Sequence, residues 1–510
     1  MKKPEAPRWL SWLFLLIPQC LYAQENEAQW VHRFAVISDT QIADKESPAR
    51  AVRIDRIPLT RTAWRPQEAY GLQTLDATIR AINHYHQNQK PLDFVIHTGD
   101  VVDNAQFNEL RWFIDTMDGK LVLPDSGAED GGFRNIPRED NPSLAFQAEG
   151  LKVPWFPVLG NHDVLAQGTL GIRSQEAPVF PFFAWAIGLQ LIDRVPFALK
   201  PLDHKSPAIL LSSEEKINQE TLQLNLFNLK FGYIPPDPNR RYITRKEFIQ
   251  EHFNTTTSPL GHGFSEENLA KEEVWYLNRP SPFIPVRLLV LDTVVPNPPL
   301  RLPVACGTMS SKQFFDFVKP QIEDAQQKGE YVILASHHSS SEFEFSLTCP
   351  VAQEINKKEF RDFLTNQPNI VAHLVGHSHR NSLEIIKGKY SYPEITTGSI
   401  IDYPQETRIL EVSFFANNTS ITIKSQMIAH MEYPTRLSAE SFRRAEKDCG
   451  QIKTEDNENQ IAMDGVALKT CSEAKGKEDV RNFVLKCNKA EISNRDCVIV
   501  TGEKKWHIQL

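Results

Sequence analysis

The sequence predicts an α/β fold, a sandwich of mixed sheets, on three observations. Short apolar runs of strand length recur along the chain: Phe34–Ser38, Phe94–Ile96, Trp155–Leu159, Val286–Leu291, Tyr331–Ala335 and Ile370–Val375. Between several of them lie stripes of helical period, as in Leu72, Leu75, Ile79 and Ile82. The last apolar runs, Ile409–Phe415 and Ile421–Met427, face each other across Asn417-Asn418, a good hairpin turn. Strands alternating with helices and closing in hairpins describe layered α/β architecture.

The first strand ends in Asp39-Thr-Gln41, and a polar loop with Pro and Arg (44–65) leads to the helix predicted over 67–86. Phe94–Ile96 is followed at once by Gly99-Asp100, then by a helix through Leu110, Phe113 and Ile114. Residues 118–150, rich in Gly, Pro, Asp and Asn, read as loop. Trp155–Leu159 is cut by Gly160-Asn161-His162-Asp163. From 164 to 283 the rhythm disappears, and this stretch reads as a folded, cap-like insertion, because so long a structureless loop is implausible. The pattern resumes at Val286, with a helical stripe over 311–327 that Pro320 should kink or interrupt. Tyr331–Ala335 runs into Ser336-His337-His338, a helix is expected over 357–364, and Ile370–Val375 ends in Gly376-His377-Ser-His379. The main domain is thus read as 30–430, and 431–510 as a charged, cysteine-bearing C-terminal appendage.

The chain has 510 residues, 41% hydrophobic and 24% charged, enough for a large core. Its 34 prolines exceed its 23 glycines, which favours ordered loops over flexible linkers. A net charge of −8 without any Lys/Arg-rich block argues against a dedicated nucleic-acid or anionic-membrane surface. Lys2, Lys3 and Arg8, then the apolar Leu10–Ile17 and Leu21-Tyr-Ala23, read as a secretory signal peptide over 1–23. Its apolar core is too short to span a bilayer, so no membrane span is expected after its removal. Six of the seven cysteines lie beyond it, an even number suited to disulfides in an exported chain. Cys449, Cys471, Cys487 and Cys497 read as two bridges with three possible pairings, rather than as a zinc site. The signal fits a bacterial periplasm, with eukaryotic secretion as the alternative.

Five strand ends therefore carry Asp39/Gln41, Asp100/Asp103, Asn161/His162/Asp163, His337/His338 and His377/His379. Oxygen and imidazole donors without cysteine suit borderline or hard divalent ions such as Mn, Fe or Zn. The donors outnumber what one ion needs, which points to two.

The set Asp39-x-Gln41, Gly99-Asp100-x-x-Asp103, Gly160-Asn-His-Asp163, His337-His338 and Gly376-His-x-His379 resembles the calcineurin-like metallophosphoesterase superfamily, over roughly 32–428 without the insertion. Gly307–Phe315 also resembles its bacterial members. The resemblance implies a four-layer α/β/β/α sandwich and a two-metal phosphohydrolase in which water activated between the ions attacks phosphorus. It places Asp39, Gln41, Asp100 and His379 on the first ion. It places Asp100 again, Asn161, His377 and His337 on the second, with His338 the fallback. It also implies that His162 serves the leaving group, oriented by Asp163, and that Asp103 stands behind the ligands.

One position departs from the family's commonest pattern: Gln41 stands where Asp-x-His is usual. A neutral amide oxygen there should weaken the first ion or tilt the site toward Mn or Mg. The Asp-x-Gln pattern resembles members acting on nucleoside-diphosphate derivatives, which favours a phosphodiester or phosphoanhydride substrate over a phosphomonoester. Phe180, Phe182, Phe183, Trp185 and Phe231 form either the insertion's own core or a stacking surface for a small-molecule substrate. The reading from another class is a non-catalytic secreted binding protein on the same scaffold; a nuclease is disfavoured by the absent basic groove. Sequence gives no oligomeric state.

Overall fold

The computed structural model describes residues 28–47, 65–127, 137–171, 208–212, 222–224, 229–234, 237–295, 306–345, 351–415, 420–451, 478–491 and 494–499. The signal segment, the Asn417-Asn418 turn, Cys471 and the aromatics Phe180, Phe182, Phe183 and Trp185 lie outside this set.

In chain order the elements used below are β1 (Ala28–Ile37), α1 (Gly71–Asn88), β2 (Phe94–His97), α2 (Phe107–Met117), β3 (Trp155–Pro157), α3 (Arg245–Phe253) and β4 (Tyr276–Asn278). There follow β5 (Val286–Val290), α4 (Lys319–Gln327), β6 (Tyr331–Ala335), α5 (Lys357–Thr365), β7 (Ile370–Val375), β8 (Ser382–Ile386) and β9 (Tyr392–Thr396). The last are β10 (Glu406–Phe415), β11 (Ser420–Ala429), α6 (Arg436–Gln451), β12 (Phe483–Glu491) and β13 (Asn494–Ile499). Two mixed sheets result, in the orders β13-β12-β11-β10-β1-β2-β3 and β4-β5-β6-β7-β9-β8. In the first, β1, β2 and β3 are parallel; in the second, β5, β6, β7 and β9 are.

The period-2 alternation of strands shows how the sheets are packed. Leu288 and Val290 of β5 and Ile333 and Ala335 of β6 join the core shared with β1, β2 and α1. Their neighbours Leu289, Leu291, Val332 and Leu334 point the other way, into a second core with Ile322 of α4 and Phe360 and Leu364 of α5. One face of the second sheet thus meets the first sheet's core and the other meets helices, which is the mixed α/β layering that the sequence predicts. Leu72, Leu75, Ile79 and Ile82 of α1 are buried as their spacing requires.

Four local differences have physical reasons. Residues 313–318 form a π-helix, and Pro320 falls in the first turn of α4. Widening the turn accommodates a ring that cannot donate a hydrogen bond and would crowd the carbonyl four residues back. The loop read over 118–150 contains a two-stranded pairing, Leu121–Val122 with Phe146–Gln147. The C-terminal stretch adds α6 beside α1, through the Thr74–Ser441 hydroxyl bond (2.8 Å), and extends the first sheet with β12 and β13. Those two strands are bridged by Cys487–Cys497, and Cys306 and Cys449 are also disulfide-bonded. Finally, the end of the 164–283 stretch supplies β4, an edge strand of the second sheet, while 208–234 holds a three-stranded antiparallel sheet. Among the described residues no helix is long and apolar enough to cross a membrane.

Trp155 anchors this stretch to β3. Its fully buried ring stacks on His262 (3.7 Å between centroids) and meets Phe113 of α2 edge-on at 5.8 Å. Trp155→Ala is expected to cost about 3–5 kcal/mol in urea unfolding, because it empties a site lined by three elements.

Candidate metal centre

All the parallel strands deliver their C-terminal ends to one edge of the sandwich, where open sheets bind ligands. The turns there are tight. Asp39, Gln41, Asp100, His377 and His379 all have positive φ, between 40° and 62°, which is rare outside glycine. Two glycines make the close approach possible. Gly99 lies at φ +96°, and a Cβ on Gly160 would fall 2.1 Å from Asp100 Oδ1.

Two clusters of donor atoms form, each within 4.8 Å: Asp39, Asp100 and His379, and His337, His338 and His377. Asp100 Oδ2 lies 3.1 Å from His337 Nε2, so the first cluster runs into the second. His337 Nε2 is in turn 3.2 Å from His377 Nδ1, and His379 Nε2 is 3.3 Å from Asp39 Oδ1. Each histidine is aimed by its other nitrogen. His337 Nδ1 donates to the Thr98 carbonyl (2.8 Å), His379 Nδ1 to Asp402 (2.6 Å), and His377 Nε2 faces Glu342 at 3.5 Å. Orientation of this kind is characteristic of metal-binding imidazoles.

The donor chemistry fits divalent cations. Asp39 Oδ1, Asp100 Oδ2, Asn161 Oδ1, His338 Nε2 and His379 Nε2 are buried without a hydrogen-bond partner. Unanswered buried polar atoms cost about 1–3 kcal/mol each, and a cation at this edge would satisfy them. Asn161 is set for the role because its Nδ2 donates to the Gly168 carbonyl (2.9 Å), leaving the oxygen. Gln41 fits less well. Its Oε1 already accepts from Arg65 Nη1 (2.9 Å), and the atom left without a partner is Nε2, which cannot ligate.

Of the residues assigned to the leaving group, His162 is held differently from expectation. Its Nδ1 bonds to the main-chain carbonyl of Asp103 at 2.7 Å, not to Asp163. The Asp163 carboxylate instead accepts the N–H groups of Gly160 (2.7 Å), Asp100 (3.1 Å) and Val102 (3.1 Å), tying two strand-end turns together. The reason is geometric: a carboxylate next in sequence to His162 turns inward beneath the loop. His338 stays beside the centre, its Nδ1 3.0 Å from Thr293 Oγ1. Sequence reasoning missed Arg65 and Asp402, which lie in loops without a motif, and Glu342, which ends a short 3-10 helix.

Burial opposes charge on His337, yet the Asp100 carboxylate outweighs it and raises the imidazole to about 10. Asp100 is held below the usual carboxylate range: burial pushes it up, and His337 and His162 more than offset that. Without bound ions, the stabilisation from His337 is complete below 6.5, its ordinary value, and is lost as pH rises through about 10. The Asp100 contribution is present above 3.8 and is lost as pH falls. Chelator-treated protein is therefore expected to show a melting temperature that declines steadily from pH 6.5 toward 10, followed by calorimetry.

A family model described as calcineurin-like phosphoesterase matches residues 32–381. No curated protein matches the chain. Among solved structures, a dimetal phosphatase from Danio rerio is 12% identical, with 78% of this chain and 99% of that one covered at a TM-score of 0.38. A Staphylococcus aureus protein provisionally named 5'-nucleotidase is 12% identical (82% and 58% covered, TM-score 0.32). GAP50, the anchor in the inner membrane complex of Plasmodium, is 11% identical (81% and 95% covered, TM-score 0.28). Likeness at this level carries no argument about sites or substrates. The family match spans more than half of the sequence and takes in all five motif-bearing strand ends: this chain belongs to the calcineurin-like phosphoesterase family and is a metal-dependent phosphoesterase.

Proposed function

We propose that the protein is an exported hydrolase that uses two divalent ions to cleave a phosphodiester or phosphoanhydride of nucleotide type. The observation that carries this reading is the continuity of the two donor clusters through Asp100 and His337 at 3.1 Å. Asp39, Asp100 and His379 would hold the first ion, with Gln41 at most a weak participant. Asp100, Asn161, His337 and His377 would hold the second, and the oxygen-rich first group favours Mn. Bound at these residues, divalent ions would supply Lewis acidity toward phosphoryl oxygens and water.

The chain's own residues do the rest. Asp100 sits between the clusters and fixes their separation. Asp402 and the Thr98 carbonyl keep His379 and His337 in the tautomers that turn Nε2 inward. His162 keeps Nδ1–H on the Asp103 carbonyl, so as an imidazolium it gives the Nε2 proton to the departing oxygen. Asp163 holds the turn that carries it. The disulfides and the basic, apolar N-terminal segment support export.

Protein purified from Mn-supplemented medium is expected to carry about two equivalents of metal and to hydrolyse a chromogenic diester faster than the matching monoester. Inactivity on both with metal bound would sink the proposal, and monoester preference would correct the substrate class. His162→Ala should keep its metal and lose about 10²–10⁴-fold in turnover. Asp100→Asn should disturb both ions together, read by elemental analysis.

A further inference from the structure

A second polar network links the second sheet to the turn that carries His337 and His338. His373 of β7 stands in register with Glu394 of β9, and its Nδ1 is 2.8 Å from Glu394 Oε2. Its Nε2 is 2.7 Å from Ser336 Oγ, and Ser336 Oγ is 2.8 Å from the His338 carbonyl. Glu394 Oε2 also accepts the N–H of Ser340 (3.0 Å), whose hydroxyl receives Arg361 Nε at 2.7 Å. Ser336 and His373 are fully buried, and Glu394 is 3% exposed.

From these contacts we infer that Ser336, His373 and Glu394 are positioning residues for the second ion: they fix the 336–342 turn and with it His337 and Glu342. The inference rests on the two-ion reading above. Three points carry it. The network grips the turn at two points, at the Ser336 hydroxyl through His373 and at the Ser340 N–H through Glu394. The gripped segment presents His337 to Asp100 and, through Glu342, an acceptor to His377 Nε2 at 3.5 Å. Its hydrogen bonds also run in one direction. A carbonyl only accepts, so the single Ser336 proton goes to His338, and Ser336 Oγ must then receive a proton from His373 Nε2. The Glu394 carboxyl group closes the line at Nδ1. A buried pair of this sort in mid-sheet is a poor source of stability compared with apolar side chains of the same size. Its placement under the ligand turn gives it a purpose.

The test uses the full chain and Mn(II), with binding followed by calorimetry and by the electron paramagnetic resonance signal of coupled ions. The parent should bind two ions. Ser336→Ala and His373→Gln should each weaken the second ion about 10–100-fold, leave the first unchanged, and lose the coupled signal at concentrations that saturate the parent. The double variant should lose no more than either single one, because both cut the same connection. Equal weakening of both ions, additive losses, or parent-like binding would overturn the inference. If His373→Gln does not fold, Ser336→Ala, which deletes one hydroxyl, decides. A parent that binds fewer than two ions would bring down the two-ion reading instead. The connection is then judged in metal-free protein by nitrogen-15 spectra of the histidines: a His337 signal moved by Ser336→Ala supports it, and an unmoved one overturns it.

Discussion

One carboxylate ties the chemistry of the two sheets together. Asp100 leaves β2 of the first sheet through Gly99 and reaches His337, which leaves β6 of the second. That contact requires both sheets to end at the same edge, and it requires the glycines that let the turns approach so closely. Asp163 then anchors the Asp100 turn from below by its main-chain N–H groups. The large shared core has the same effect at longer range: it fixes the distance between sheets, and so between the two donor clusters.

Most of this scaffold could be read from local signals. Apolar runs of strand length mark the strands, and the spacing of Leu72, Leu75, Ile79 and Ile82 marks α1, because burial period is a property of neighbouring residues. Asp39, Asp100, Asn161, His337, His377 and His379 stand out because each lies within four residues of a strand end. What escaped reading depends on distant contacts. Arg65 takes up the Gln41 oxygen, Asp402 orients His379, and Asp103 rather than Asp163 holds His162, yet none of these pairings has a sequence spacing that announces it. His373 was hidden for the opposite reason, since it sits inside an apolar run and looks like part of it.

The arrangement of ligands is uneven. In the proposed assignment four residues hold the second ion, while the first has three plus an amide whose oxygen is shared with a guanidinium. Arg65 also lies 2.7 Å from Asp402, the residue that aims His379, so one cation braces two members of the first group. The two halves of the centre are therefore supported by different means, a loop arginine on one side and a buried strand network on the other.

Five residues of the centre hold left-handed backbone angles that their side chains do not favour on their own. Conformations of that kind persist because the surrounding sheets impose them, which means the cradle is shaped during folding and not by its contents. Discrimination among divalent ions then rests on how well an ion's radius and preferred coordination match donors already in place, since the protein has little freedom to adjust around a poor fit.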